Sequence, residues 1–128
     1  MKEPLWIPAE AVVAIHGELL AEYGGVPGIR DQNLLEATLA RPRHLLAYGE
    51  PDLFELAAAY AYGFARNHPF VDGNKRMAMA SLAVFLEING RALEADKVDT
   101  IDTILELAKG TLTQRELAAW IRANSRRA

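Results

Sequence analysis

Hydrophobic and polar positions recur along this chain with the period of helices, and strict two-residue alternation is hard to find. Trp6 and Ile7 precede Pro8, a residue suited to opening a helix, and Val12, Val13, Ile15, Leu19 and Leu20 follow near helical spacing. The run ends at Tyr23-Gly24-Gly25-Val26-Pro27-Gly28, whose glycines and proline predict a turn. Asp31 predicts the N-cap of a second helix carrying Leu34, Leu35 and Leu39, stopped by Pro42. A third helix begins near Asp52, after Pro51, and passes Phe54, Leu56 and Tyr60 towards Arg66. Pro69 disfavours helical geometry at His68, so the segment 68–73 interrupts the pattern. Helix resumes near Asn74 and ends at Asn89-Gly90, a natural C-cap.

Between Met77 and Leu86 almost every face of that helix is apolar, which predicts a buried, central element. Two further helices are expected near Val98–Lys109 and Thr113–Ala123, separated by Gly110. The expected fold class is all-α, a compact bundle of about six helices in a single domain over residues 1–128, without repeats or linkers. A chain of 128 residues can bury roughly two-thirds of its unfolded surface and needs no metal or disulfide staple. The absence of cysteine excludes disulfides, thiolate metal sites and a cysteine nucleophile, and it fits a reducing compartment. A formal charge of −3 offers nucleic acid and anionic lipid no general attraction. The N-terminus lacks an apolar signal core, and Met77–Leu86 is too short to span a bilayer. A cytoplasmic protein without direct nucleic-acid or membrane partners is the expectation.

The chemistry concentrates in His68-Pro-Phe-Val-Asp-Gly-Asn-Lys-Arg76, a loop delivering polar groups to the start of the most apolar helix. A helix N-terminus presents unpaired N–H groups and a partial positive charge, which together suit an anion. Gly73 lets backbone approach a ligand closely. Lys75 and Arg76 add two full positive charges in the first turn, where the helix dipole opposes them. That conflict is resolved if a phosphate binds there. Asp72 either caps the helix or holds Mg²⁺ against phosphate oxygens. His68 suits a general base, because imidazole titrates near neutrality. Asn74 bonds a phosphate oxygen or orders the loop, and Phe70 anchors it. His16, within an amphipathic helix, and His44, in a polar turn, receive no role.

This segment resembles the signature of the Fic fold, His-Pro-Phe-x-Asp-Gly-Asn-x-Arg, at every fixed position. Chance agreement over those positions is roughly one in 10⁹ per window at uniform usage. The likeness extends to Tyr23–Gly28, Asp52–Ala57, Phe85–Gly90 and Gly110…Leu117…Ile121-Arg122, which are similar to the death-on-curing toxins of that family. The resemblance implies a helical bundle in which His68 accepts the proton of a target hydroxyl. By the same resemblance Asp72 binds Mg²⁺, and Gly73, Asn74, Lys75 and Arg76 hold ATP phosphates. Arg66 also matches an arginine of the death-on-curing members, and it either joins that set or caps helix carbonyls.

Two departures from the wider family bear on the chemistry. Adenylylating Fic enzymes carry glycine where this chain has Lys75, and a second arginine where it has Met79. Both changes match death-on-curing toxins, which transfer the γ-phosphoryl group of ATP. The resemblance therefore implies a kinase acting on a threonine of elongation factor Tu and halting translation, with adenylyl transfer and a non-catalytic binding module as alternatives. No serine or threonine has glutamate four positions later, so the self-inhibiting Ser/Thr-x-x-x-Glu of many Fic proteins is missing. Inhibition then falls to a cognate antitoxin whose disordered tail folds on the toxin. A faint helix-turn-helix likeness at Thr113–Trp120 lacks a following recognition helix, and Arg122, Arg126 and Arg127 form a small solvated basic tail.

Overall fold

The computed structural model describes residues 2–128. Six helices follow one another: α1 (Ala9–Tyr23), α2 (Gln32–Ala47), α3 (Leu53–Asn67), α4 (Asn74–Ile88), α5 (Lys97–Lys109) and α6 (Gln114–Ala123). The expected boundaries hold to within a residue or two at most ends, because the capping chemistry is local. Asp31, Asp52, Asp96 and Thr113 each accept a bond from the third backbone N–H of their helix. Asp52 and Thr113 complete capping boxes with Glu55 and Glu116.

Three features depart from the sequence pattern. Helix α2 does not stop at Pro42 but runs through it to Ala47. Proline inside a helix costs about 3 kcal/mol, yet Pro42 is buried and Leu45 and Leu46 beyond it pack on the core. Burying each leucine returns up to about 2 kcal/mol, which offsets the missing bond. The second departure is a small antiparallel ribbon of β1 (Arg91–Leu93) and β2 (Ser125–Arg127), in register Arg91↔Arg127, Ala92↔Arg126 and Leu93↔Ser125. Three-residue strands carry too little periodicity to be seen in sequence. The ribbon engages the basic tail, with Arg126 pairing with Glu94, and the chain after α6 forms a strand, not a second helix.

The third departure concerns the centre. Helix α3 packs against α2, α4, α5 and α6 and is the buried hub, with α4 beside it. Along α4, Met79, Ala80, Ala83 and Val84 are only partly buried. The small side chains of α3, Ala57, Ala58, Ala59, Ala61 and Ala65, let neighbouring helices approach from all sides. A Cβ on Gly63 would lie 2.8 Å from Thr38 Cγ2, which shows how closely α2 meets α3. Larger rings fill the remaining space: Tyr60 meets Phe85 at 5.1 Å between centroids, and Phe64 stacks with Phe70 at 6.2 Å. The chain thus enters and leaves the motif loop from two packed helices, which makes that loop a fixed platform. Among the described residues, no helix is long and apolar enough to cross a membrane.

Candidate active site

The loop from His68 to Gly73 joins α3 to α4, and its geometry begins with its buried anchors. Pro69 and Phe70 are buried, Phe70 to 1% exposure. Asn74 braces the loop from inside the first turn of α4. Its Oδ1 accepts from the Phe70 N–H at 3.0 Å, and its Nδ2 donates to the Phe70 carbonyl at 2.9 Å. Asn74 is itself buried, so of its two expected roles the structure displays loop ordering.

A strap formed by residues 24–31 lies antiparallel to the loop. The Arg30 and Asp31 N–H groups donate to the Pro69 carbonyl, the Val71 N–H donates to the Gly28 carbonyl at 3.0 Å, and Ile29 bridges Phe70. Arg30 adds side-chain bonds, donating from Nε to the His68 carbonyl at 2.6 Å and from a terminal nitrogen to the Asn67 carbonyl at 2.8 Å. His68 sits at φ 50°, ψ 58°, and it is the non-glycine residue with positive φ among those described. Such a conformation costs on the order of 1–3 kcal/mol and persists where surroundings over-determine it. The Arg30 clamp and the following Pro69 supply that over-determination. The His68 side chain is exposed, and its imidazole has no hydrogen-bond partner among the described residues. Both ring nitrogens are open to a reacting group.

Asp72 is not the N-cap of α4; Gly73 holds that position, at φ 78°. The Asp72 carboxylate accepts from the Val26 N–H at 3.0 Å and from the Gly73 N–H at 2.8 Å. These two amides, Val26 first, hold its pKa below the usual carboxylate range, with Arg76 and His16 adding to the effect. The carboxylate is therefore ionised and exposed, with lone pairs left for a cation. Gly25 makes the Val26 contact possible: at φ 127°, a Cβ there would meet Leu20 at 2.8 Å and Asp72 Oδ2 at 3.0 Å. Among the described residues, no three His, Asp or Glu side chains gather into a metal-binding group. A single carboxylate fits Mg²⁺ that takes its other ligands from phosphate and water, and does not fit an all-protein cage.

The N-terminus of α4 has no side-chain cap. The first backbone bond of this helix runs from Met77 N–H to the Gly73 carbonyl, leaving the Asn74, Lys75 and Arg76 N–H groups pointing outward. Lys75 is exposed without a carboxylate partner among the described residues, while the Arg76 guanidinium lies 4.6 Å above the Tyr23 ring. Met79, one turn further on, packs against the core. Arg66 faces elsewhere: its guanidinium donates to the Ala108 carbonyl at 3.4 Å, at the end of α5, and it lines a groove with Arg41, Tyr62 and Gln114. Of the two roles open to Arg66, carbonyl capping is the one on display. The structure thus brings His68, Asp72, Gly73, Asn74, Lys75 and Arg76 together and directs Arg66 to α5.

Four contributors escaped the sequence: His16, Tyr23, Val26 and Arg30, all from α1 and the strap. A buried polar residue on an amphipathic helix was the available signal for His16. The glycine density around Val26 was the signal for the strap.

Fold and site together define a helical protein in which an uncapped helix start, an ionised carboxylate and an exposed histidine share one loop. The Fic/DOC family model matches residues 6–86, and the chain belongs to that family. Among similar proteins, the "Protein kinase doc" of Escherichia phage P1 is 36% identical over 117 residues, covering 91% of this chain and 92% of that protein. The "Toxin Doc" of Mycolicibacterium smegmatis is 48% identical over 77 residues, covering 58% of each.

Proposed function

We propose that the chain is the toxin of a toxin–antitoxin pair and transfers the γ-phosphoryl group of ATP to a hydroxyl side chain of a protein target. The observation that carries this reading is the uncapped start of α4, where three free N–H groups, Lys75 and Arg76 converge beside the ionised Asp72. Such a cradle suits phosphate, and phosphoryl transfer needs mainly positioning and charge neutralisation. The names of the relatives, a protein kinase and a toxin, support the same reading.

In this mechanism the N–H groups of residues 74–76, with Lys75 and Arg76, bind the phosphate oxygens. Asp72 would hold Mg²⁺, which neutralises charge on the transferring group. His68 takes the proton of the target hydroxyl as its oxygen bonds the γ-phosphorus and the bond to the ADP oxygen breaks. The exposed rim of Val26, Ile29 and Val71 beside His68 leaves room for a protein substrate. From the resemblance stated above, that substrate is a threonine of elongation factor Tu, and its modification stops translation. A cognate antitoxin with a tail that folds on binding supplies the inhibition for which the chain has no internal Ser/Thr-x-x-x-Glu.

Lys75 in place of glycine and Met79 in place of arginine favour γ- over α-phosphorus attack. Incubation with bacterial lysate and ATP labelled at either phosphorus separates the two. Label from γ-labelled ATP alone, lost with His68→Ala, is expected. Label from α-labelled ATP would overturn the kinase reading in favour of adenylyl transfer.

A further inference from the structure

We propose that His16 is a positioning residue, which fixes the Asp72 peptide and so aims the Asp72 carboxylate at the cation and phosphates. The inference rests on the cation role given to Asp72 above, but its geometric part stands on contacts in the ligand-free protein.

His16 lies on α1, 56 positions before Asp72 in sequence, and is only 4% exposed. Its Nε2 is 2.8 Å from the Asp72 main-chain oxygen. A carbonyl only accepts, so the proton sits on Nε2 and the imidazole donates. The ring also stacks flat on Phe70, 3.7 Å between centroids at 6°. One side chain therefore grips the loop at both residues flanking Val71. From the other side, Asn74 pins the Phe70 peptide, and the Val26 and Gly73 N–H groups pin the Asp72 carboxylate.

Asp72 is exposed, whereas His16, Phe70 and Asn74, which hold the loop around it, are buried. With its carbonyl released, the peptide can rotate, and the carboxylate leaves the line set by Val26 and Gly73. A purely structural histidine would need the stack alone. The bond from Nε2 is what converts packing into an orientation at the site, as outer groups do for metal ligands generally.

Two substitutions separate stack from bond. His16→Phe retains an aromatic ring against Phe70 and removes the donor. His16→Gln removes the ring and places an amide nitrogen near the position of Nε2. The amide resonances of Val26 and Gly73 in the ligand-free protein report the carboxylate position. Binding of the Mn²⁺–ATP complex, followed by water-proton relaxation without target protein, reports the site.

His16→Phe is expected to move both amide resonances and weaken Mn²⁺–ATP binding about tenfold, within the range for lost outer-shell partners. His16→Gln is expected to stay near wild type in both measurements. Wild-type behaviour of His16→Phe overturns the proposal. So does equal weakening of both variants in step with a lowered melting temperature, which would mark a role in packing alone. Asp72→Asn serves as the separate control. If it binds Mn²⁺–ATP like wild type, the cation role of Asp72 fails, while the amide resonances still decide on His16.

Discussion

The N-termini of α3 and α4 are consecutive in the chain and opposite in construction. Helix α3 begins with a capping box: the Asp52 carboxylate accepts from Glu55 N–H at 2.8 Å, and Glu55 reaches back to the Asp52 N–H. Arg122 of α6 then pairs with Asp52 at 2.5 Å. The cap and its counter-charge are thus both supplied from inside the molecule. Helix α4 begins on a glycine, with no side-chain cap and with two cations in its first turn. The neighbouring acid, Asp72, accepts from the Val26 and Gly73 N–H groups and caps none of the N–H groups of residues 74–76. One helix end is finished by the protein itself; the other has no side-chain cap, as the proposed phosphate site requires. A routine local rule broken at one helix end and obeyed at its neighbour marks a candidate site.

Reversing the charge at α4 tests that contrast most strongly. Lys75→Glu should weaken ATP binding at least about tenfold, since a charge-assisted bond is worth about 1.5–3 kcal/mol. The ligand-free protein should nevertheless melt slightly higher, because an acid at a helix N-terminus is favourable by about 0.3–1 kcal/mol. Calorimetry with and without ATP reads both. Unchanged ATP affinity, or a lower melting temperature, would remove the ligand explanation for the charge conflict.

At α3 the expected signs are reversed. Asp52→Ala loses a cap worth about 1 kcal/mol and an exposed ion pair worth less. The melting temperature should fall by about 3–6 °C, with ATP affinity and transfer rate unchanged. A large loss of activity in a folded Asp52→Ala protein would show that the two helix ends are coupled.

The smallest effect concerns acid. The pKa of Asp72 is lowered in the folded protein by the Val26 and Gly73 amides. Its contacts should therefore be complete above the ordinary carboxylate range, near pH 4, and fade only as pH falls through the lowered value. The Val26 and Gly73 amide resonances should titrate below that range in wild type and show no such step in Asp72→Asn. A step within the ordinary range would contradict the geometry at Asp72.

Much of the fold was legible in the chain because its punctuation is local. Asp31, Asp52 and Thr113 mark helix starts, and Asn89-Gly90 and Gly110 mark ends, by groups that act within four residues. Pro42 departs from that pattern for the complementary reason. Its local cost is real, but Leu45 and Leu46 gain their compensation from burial against elements distant in sequence. Apolar content points to α4 as the central helix, whereas small residues place α3 there by allowing close approach on every side.

That the candidate-site residues share one loop is written in the chain, since His68 to Arg76 are contiguous and their charge conflict with the helix is readable without coordinates. What holds them in place comes from packing between distant segments. His16 meets Asp72 from a helix 56 positions away, Arg30 clamps the His68 carbonyl, and Arg66, close in sequence, is drawn off to Ala108. The physical reason is the range of the forces involved. Capping and helix polarity act along the chain within a turn, while the bonds that orient a loop depend on which distant surfaces the buried core presses together.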